Sequence, residues 1–76
     1  MAFKIGDIVN SKADRDLDMT VHGFLTNRAF PMTELRETPE SWVVCKYRED
    51  YKWLQEVFHT DELVLVQDAG TDDMDL

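Results

Sequence analysis

A single cysteine, Cys45, leaves the chain nothing to bridge within itself, and neither Asn10 nor Asn27 starts a glycosylation acceptor. Nothing therefore favours a secreted setting, and a reducing cytoplasm is the expectation. Long apolar runs are missing too. "MAFKIGDIVN" does not read like a signal peptide, and no stretch approaches the roughly 20 apolar residues that span a bilayer, so no membrane partner is expected. Basic residues are scarce: 8 stand against 16 acidic ones, a net charge of -8. A phosphate backbone would be repelled, which removes nucleic acid from the expected partners. Length is short as well. A chain of 76 residues makes one domain and buries only about 60% of its unfolded surface, too little for a deep enclosed substrate cavity.

What is present is enough for a compact core, with 43% hydrophobic and 11% aromatic residues. Short β-branched and aromatic runs broken by turn chemistry predict a small all-β fold. Gly6-Asp7 supplies a turn or bulge before a first strand at about residues 7–11. "ADRDLD", 13–18, reads as a polar, mostly acidic turn. "MTVHGFL", 19–25, reads as a second strand with Met19, Val21 and Gly23 on one face and Thr20, His22 and Phe24 on the other. Gly23 inside it suggests a bulge or a close crossing of another backbone. The 26–40 connection reads as an ordered loop pinned by Phe30, Met32 and Leu35, with a helical turn over 33–37.

"SWVVCKYR" gives a third strand and "WLQEVFH" a fourth, joined by the short loop "EDYK" and therefore antiparallel. "TDEL" reads as a capped single turn opened by Thr60 or Asp61, and "LVLV" as a fifth strand. Together these elements predict a five-stranded SH3-like barrel over residues 1–66, with an acidic flexible tail over 67–76. An OB-type barrel is the rival architecture, but it wants a helix between strands three and four, where this chain has only a hairpin.

The ordered set "FKIGDIV", "MTVHGF", "SWVVCKYR" and "VFHTDELVLV" resembles the YodC-like family of small bacterial proteins of unknown function. Its motifs map onto Phe3, Gly6, Asp7, Val9, Met19, Thr20, Val21, Gly23, Trp42, Val43, Cys45, Tyr47, Phe58 and Leu63. The 26–40 connection looks longer than the family's, and the acidic tail is extra. The resemblance implies an SH3-like barrel of about this length and brings no catalytic residue, cofactor or activity with it.

Residues 42–53, "WVVCKYREDYKW", hold both tryptophans, both tyrosines and the cysteine. Cys45 with His22 or His59 as base is the conceivable nucleophile, but alternation sets Cys45 between Val43 and Tyr47 on the buried face, where cysteine acts as a small hydrophobe. No short-spaced ligand signature marks a metal site, and Asp14, Asp16 and Asp18 lack the glycine and glutamate that complete a calcium loop. Lys46, Arg48 and Lys52 make the one local basic patch, flanked by acids. No catalytic, cofactor or metal residue is therefore expected.

Trp42 faces away from Val43, Cys45 and Tyr47, so Trp42, Tyr51 and Trp53 form the candidate partner-binding surface, unless the 26–40 loop covers Trp42. Two function classes follow. The first is a non-catalytic module that binds a protein or peptide, acting as a monomer or weak homodimer through an exposed edge strand. The second is an acidic decoy that imitates nucleic acid on a basic protein, with the aspartates after Val66 contributing charge.

Overall fold

The computed structural model of the chain describes residues 3–28 and 34–69. Five strands follow one another: β1 (Ile8–Ser11), β2 (Asp14–Leu25), β3 (Trp42–Glu49), β4 (Lys52–His59) and β5 (Leu63–Gln67), with a 3-10 turn, Thr60–Glu62, before the last. All pair antiparallel in one sheet of order β4-β3-β2-β1-β5. Among the described residues the sheet is not closed, and β4 and β5 are its two edges.

The acidic run 13–18 is not a turn but the first half of β2. Lys12 and Ala13 alone reverse the chain, because Ser11 already pairs with Asp14. Alternation then holds Asp14, Asp16 and Asp18 exposed on one face while Leu17 packs half-buried against the core on the other. Charge did not prevent a strand here because one face of an antiparallel sheet can stay in water. Asn10, buried in the β1 bulge opposite this segment, donates from Nδ2 to the Leu17 carbonyl at 2.7 Å and to Asp18 Oδ1 at 2.8 Å.

The core is Val9, Met19, Val21, Phe24, Val43, Cys45 and Leu63, with Phe3, Leu17, Tyr47 and Phe58 packed around it. Phe24 belongs to it although its even number had placed it opposite Met19 and Val21. The ladder of β2 and β3 shifts register between Val21 and Gly23, so one residue drops out of the alternation and every side chain after it changes face. Truncating Phe24, fully buried, to Ala would cost about 3–5 kcal/mol.

Gly23 is also the point of close approach that its position suggested. A Cβ built there would lie 2.6 Å from Leu35 Cγ, so Leu35 packs directly over the glycine. Beside it, Phe24 and Arg36 exchange both backbone bonds, at 2.9 and 2.8 Å. This bridge replaces the expected helical turn over residues 34–37; Thr33 and the two other proposed pins, Phe30 and Met32, lie outside the described residues. Leu25 and Val44 are buried at this end of the sheet but stand outside the core cluster, so the outer face has its own covered apolar patch.

The N-terminal turn is tied to the end of β5 by a buried carboxylate. Asp7 accepts from the backbone N–H of Lys4 with Oδ2 and from that of Ala69 with Oδ1, both at 2.8 Å. Gly6 sits at φ 95° with Ala69 against it, and Lys4 pairs with Asp68. Of the expected acidic tail, Gln67 completes β5 and Asp68 and Ala69 are held in this way; Gly70 onward lies outside the described residues.

Candidate functional site

The hairpin of β3 and β4 is regular from end to end, Trp42 pairing with His59 and Glu49 with Lys52 without a shift. Its loop is therefore only Asp50 and Tyr51, one pair shorter than "EDYK". A two-residue loop that matches the strands' twist needs positive φ at both positions, which is why Asn-Gly is its usual sequence. Here the two residues are Asp50 at φ 53° and Tyr51 at φ 68°. Asp tolerates that region, but a tyrosine there carries about 1–2 kcal/mol of strain. The Tyr51 side chain recovers none of it by packing, since the residue is 91% exposed.

Two residues along, Trp53 is 63% exposed. It faces Arg48 across the hairpin, and the Arg48 guanidinium lies 5.8 Å from the ring centroid. Such a contact in water is worth about 0.5–1 kcal/mol, enough to orient the indole without burying it. Tyr51, Trp53 and Arg48 thus form an exposed cluster of two aromatics and a cation at the hairpin end, beside the exposed carboxylates of Glu49 and Asp50.

Trp42 shares the outer face with Trp53 but not its place. Six positions of strand separate Trp42 from Arg48, about 20 Å at 3.3 Å per residue. Trp42 is half-buried, with its ring edge-on to His59 at 5.0 Å and the Arg28 guanidinium 6.0 Å from its centroid. The three proposed surface residues are therefore two places, an exposed pair at the hairpin tip and a partly covered tryptophan at the far end. The basic patch divides as well. Lys46 and Arg48 share the outer face, while Lys52 pairs with Glu49 on the other.

His59 has a structural task that the sequence did not suggest. Its Nδ1 accepts from Asp61 N–H at 3.2 Å while its own N–H donates to Glu62 Oε1 at 2.8 Å, a reciprocal cap on the 3-10 turn that Thr60 opens. Cys45 is fully buried opposite Glu56. Burial, aided by the Glu56 charge, pushes its thiol up to about 12, so the thiolate needed of a nucleophile is scarce at neutral pH. Burial and the Glu56 charge likewise raise the Tyr47 phenol, whose O–H donates to Glu56 Oε1 at 3.3 Å. Among the described residues no three His, Cys, Asp or Glu side chains are grouped to hold a metal ion. No helix among them is long and apolar enough to cross a membrane.

Asp7 stood in the sequence only as part of a turn and of a family motif; its buried carboxylate depends on the distant Ala69 amide, which "GD" before a strand does not signal. Compared with models of protein families, with curated proteins and with solved structures, the chain matches none.

Proposed function

We propose that this chain is a non-catalytic interaction module that binds a protein or peptide through the tip of the β3–β4 hairpin. The observation that carries the reading is Tyr51, a large aromatic residue kept at positive φ and 91% exposed beside an exposed Trp53. Strain that packing does not repay is characteristic of recognition sites. Exposed Tyr, Trp and Arg are also the side chains that dominate binding energy at interfaces. The strand order, the 12-residue β2 with its mid-strand shift and the 3-10 turn before β5 support an SH3-like architecture, a partly open barrel. Kinship with the YodC-like family remains part of this proposal, carried by the motifs alone. The buried, weakly acidic thiol supports the absence of thiol catalysis.

Peptides selected from a random display library on the whole protein test the reading. Tyr51→Ala with Trp53→Ala should weaken their affinity at least tenfold, or about 1.4 kcal/mol, while Trp42→Phe leaves it unchanged. Equal affinity for the double variant sinks the proposal.

A second reading, the acidic decoy, gains one observation. Asp14, Asp16 and Asp18 are alternate residues of a strand, so their carboxylates recur on one face about every 6.6 Å. Asn substitution at Asp14 and Asp16 should then lower the salt concentration at which a polycation column releases the chain by more than Asn substitution at two acidic residues on another face; an equal shift excludes this face.

A further inference from the structure

We propose that two copies of the chain associate edge to edge through β4, antiparallel and two-fold symmetric, with Gln55 on the axis. This goes beyond the peptide-binding reading and stands without it.

β4 is an edge with two charges, Lys52 and Glu56, as its only defences among those usual for an edge strand. Its eight residues contain no proline or glycine, and its ladder to β3 has no bulge. The groups it leaves open follow from the pairing. A two-residue loop closes on a hydrogen-bonded pair, Glu49 with Lys52, and Thr60 N–H donates to the Ser41 carbonyl at 2.9 Å at the other end. Both place Lys52, Leu54, Glu56 and Phe58 with their backbone groups toward β3. Trp53, Gln55, Val57 and His59 therefore point theirs outward. His59 fits, since its N–H is taken by Glu62 rather than by β3. Among the described residues β4 pairs with β3 alone.

A second copy fits these groups in one register. Two-fold pairing within a continuous sheet puts residues of the same face opposite each other, so the axis passes through a residue. Centring on Glu56 sets two carboxylates face to face and draws the occupied His59 N–H into the ladder. Centring on Leu54 leaves the Val57 groups unpaired. Centring on Gln55 joins the outward groups of Trp53, Gln55 and Val57 in each copy to Val57, Gln55 and Trp53 of the other. It also brings Lys52 diagonal to the second copy's Glu56, within reach of an ion pair, twice per dimer. The other edge is less suited. β5 has five residues and a register shift against β1.

Sedimentation equilibrium of the whole chain in about 0.15 M salt, where repulsion between two acidic chains is screened beyond about 8 Å, reads the association. The apparent mass should rise with concentration from 8.9 kDa toward twice that value. Gln55→Lys sets two ammonium groups on the axis and should weaken the dimer at least tenfold. Gln55→Cys should form an intermolecular disulfide on mild oxidation, because residues on the axis have Cα atoms about 5.5 Å apart; Lys46→Cys, one strand away, should not. A mass fixed at that of one chain, a dimer indifferent to Gln55→Lys, or cross-linking at Lys46 instead of Gln55 each overturns the proposal. Tyr51 is outside the pairing, so loss of peptide binding in a Tyr51 variant and loss of the dimer in a Gln55 variant are separate outcomes.

Discussion

Replacing Tyr51 by glycine separates folding from function at one position. The residue is held at φ 68° in a two-residue turn, and the left-handed region costs a non-glycine residue about 1–2 kcal/mol. Glycine relieves that cost but adds freedom to the unfolded chain, which takes back about 0.5–1 kcal/mol. Little packing is lost, because the tyrosine is 91% exposed. The balance favours Tyr51→Gly by about 0.5–1 kcal/mol, which for a domain of this size is a rise of roughly 2–8 °C in Tm. The same substitution should abolish binding by peptides selected on the native chain. Urea unfolding at equal slope, with calorimetry, reads the first effect and a binding isotherm the second. A variant that is less stable than the native chain would refute the strain argument, since it would mean that the tyrosine side chain stabilises the hairpin.

Asp7→Ala leaves the Lys4 and Ala69 N–H groups without their charged acceptor and should cost about 3–5 kcal/mol, read by urea midpoints, with faster amide exchange at Ala69; a loss under about 1 kcal/mol contradicts the clamp. Gly23→Ala should cost about 1–2 kcal/mol by displacing Leu35 and loosening the Phe24–Arg36 bridge, and the cost should shrink in a Leu35→Ala background, a coupling that a double-mutant cycle measures. The Cys45 thiol stays protonated in the fold up to about pH 12 while the unfolded thiol ionises near 9, so between those values the unfolded state binds fewer protons and stability falls as pH rises, by up to about 1.4 kcal/mol per unit. Cys45→Ala should make the decline between about pH 8 and pH 10 shallower, whatever its own cavity costs; an unchanged slope counts against a buried neutral thiol.

The strands were legible in the sequence where apolar alternation had one buried face to report, as in Val43, Cys45 and Tyr47, and the hairpin followed from the short gap between two such runs. The bulge at Gly23 was legible as a possibility because glycine has few other reasons to sit in a strand. Its effect on Phe24 was not, since a change of face depends on the register with β3. The start of β2 was hidden because Asp14, Asp16 and Asp18 carry turn chemistry, and only pairing with β1 makes them a strand. The candidate site was half legible. Alternation set Trp42 opposite Val43, Cys45 and Tyr47, but it does not say what covers a face or how far along it another residue such as Trp53 lies. Leu25 and Val44 became buried through tertiary contact at one end, and Trp53 stayed open at the other. The strain at Tyr51 follows from the loop being two residues long, which "EDYK" alone did not fix.

Mapping a selected peptide onto the whole chain with backbone amide NMR shifts shows whether the hairpin tip is the recognition surface. The largest changes should fall on Arg48, Asp50, Tyr51, Lys52 and Trp53, with Trp42 and His59 unmoved. Changes centred on Trp42, or on the acidic face of β2, would contradict that assignment.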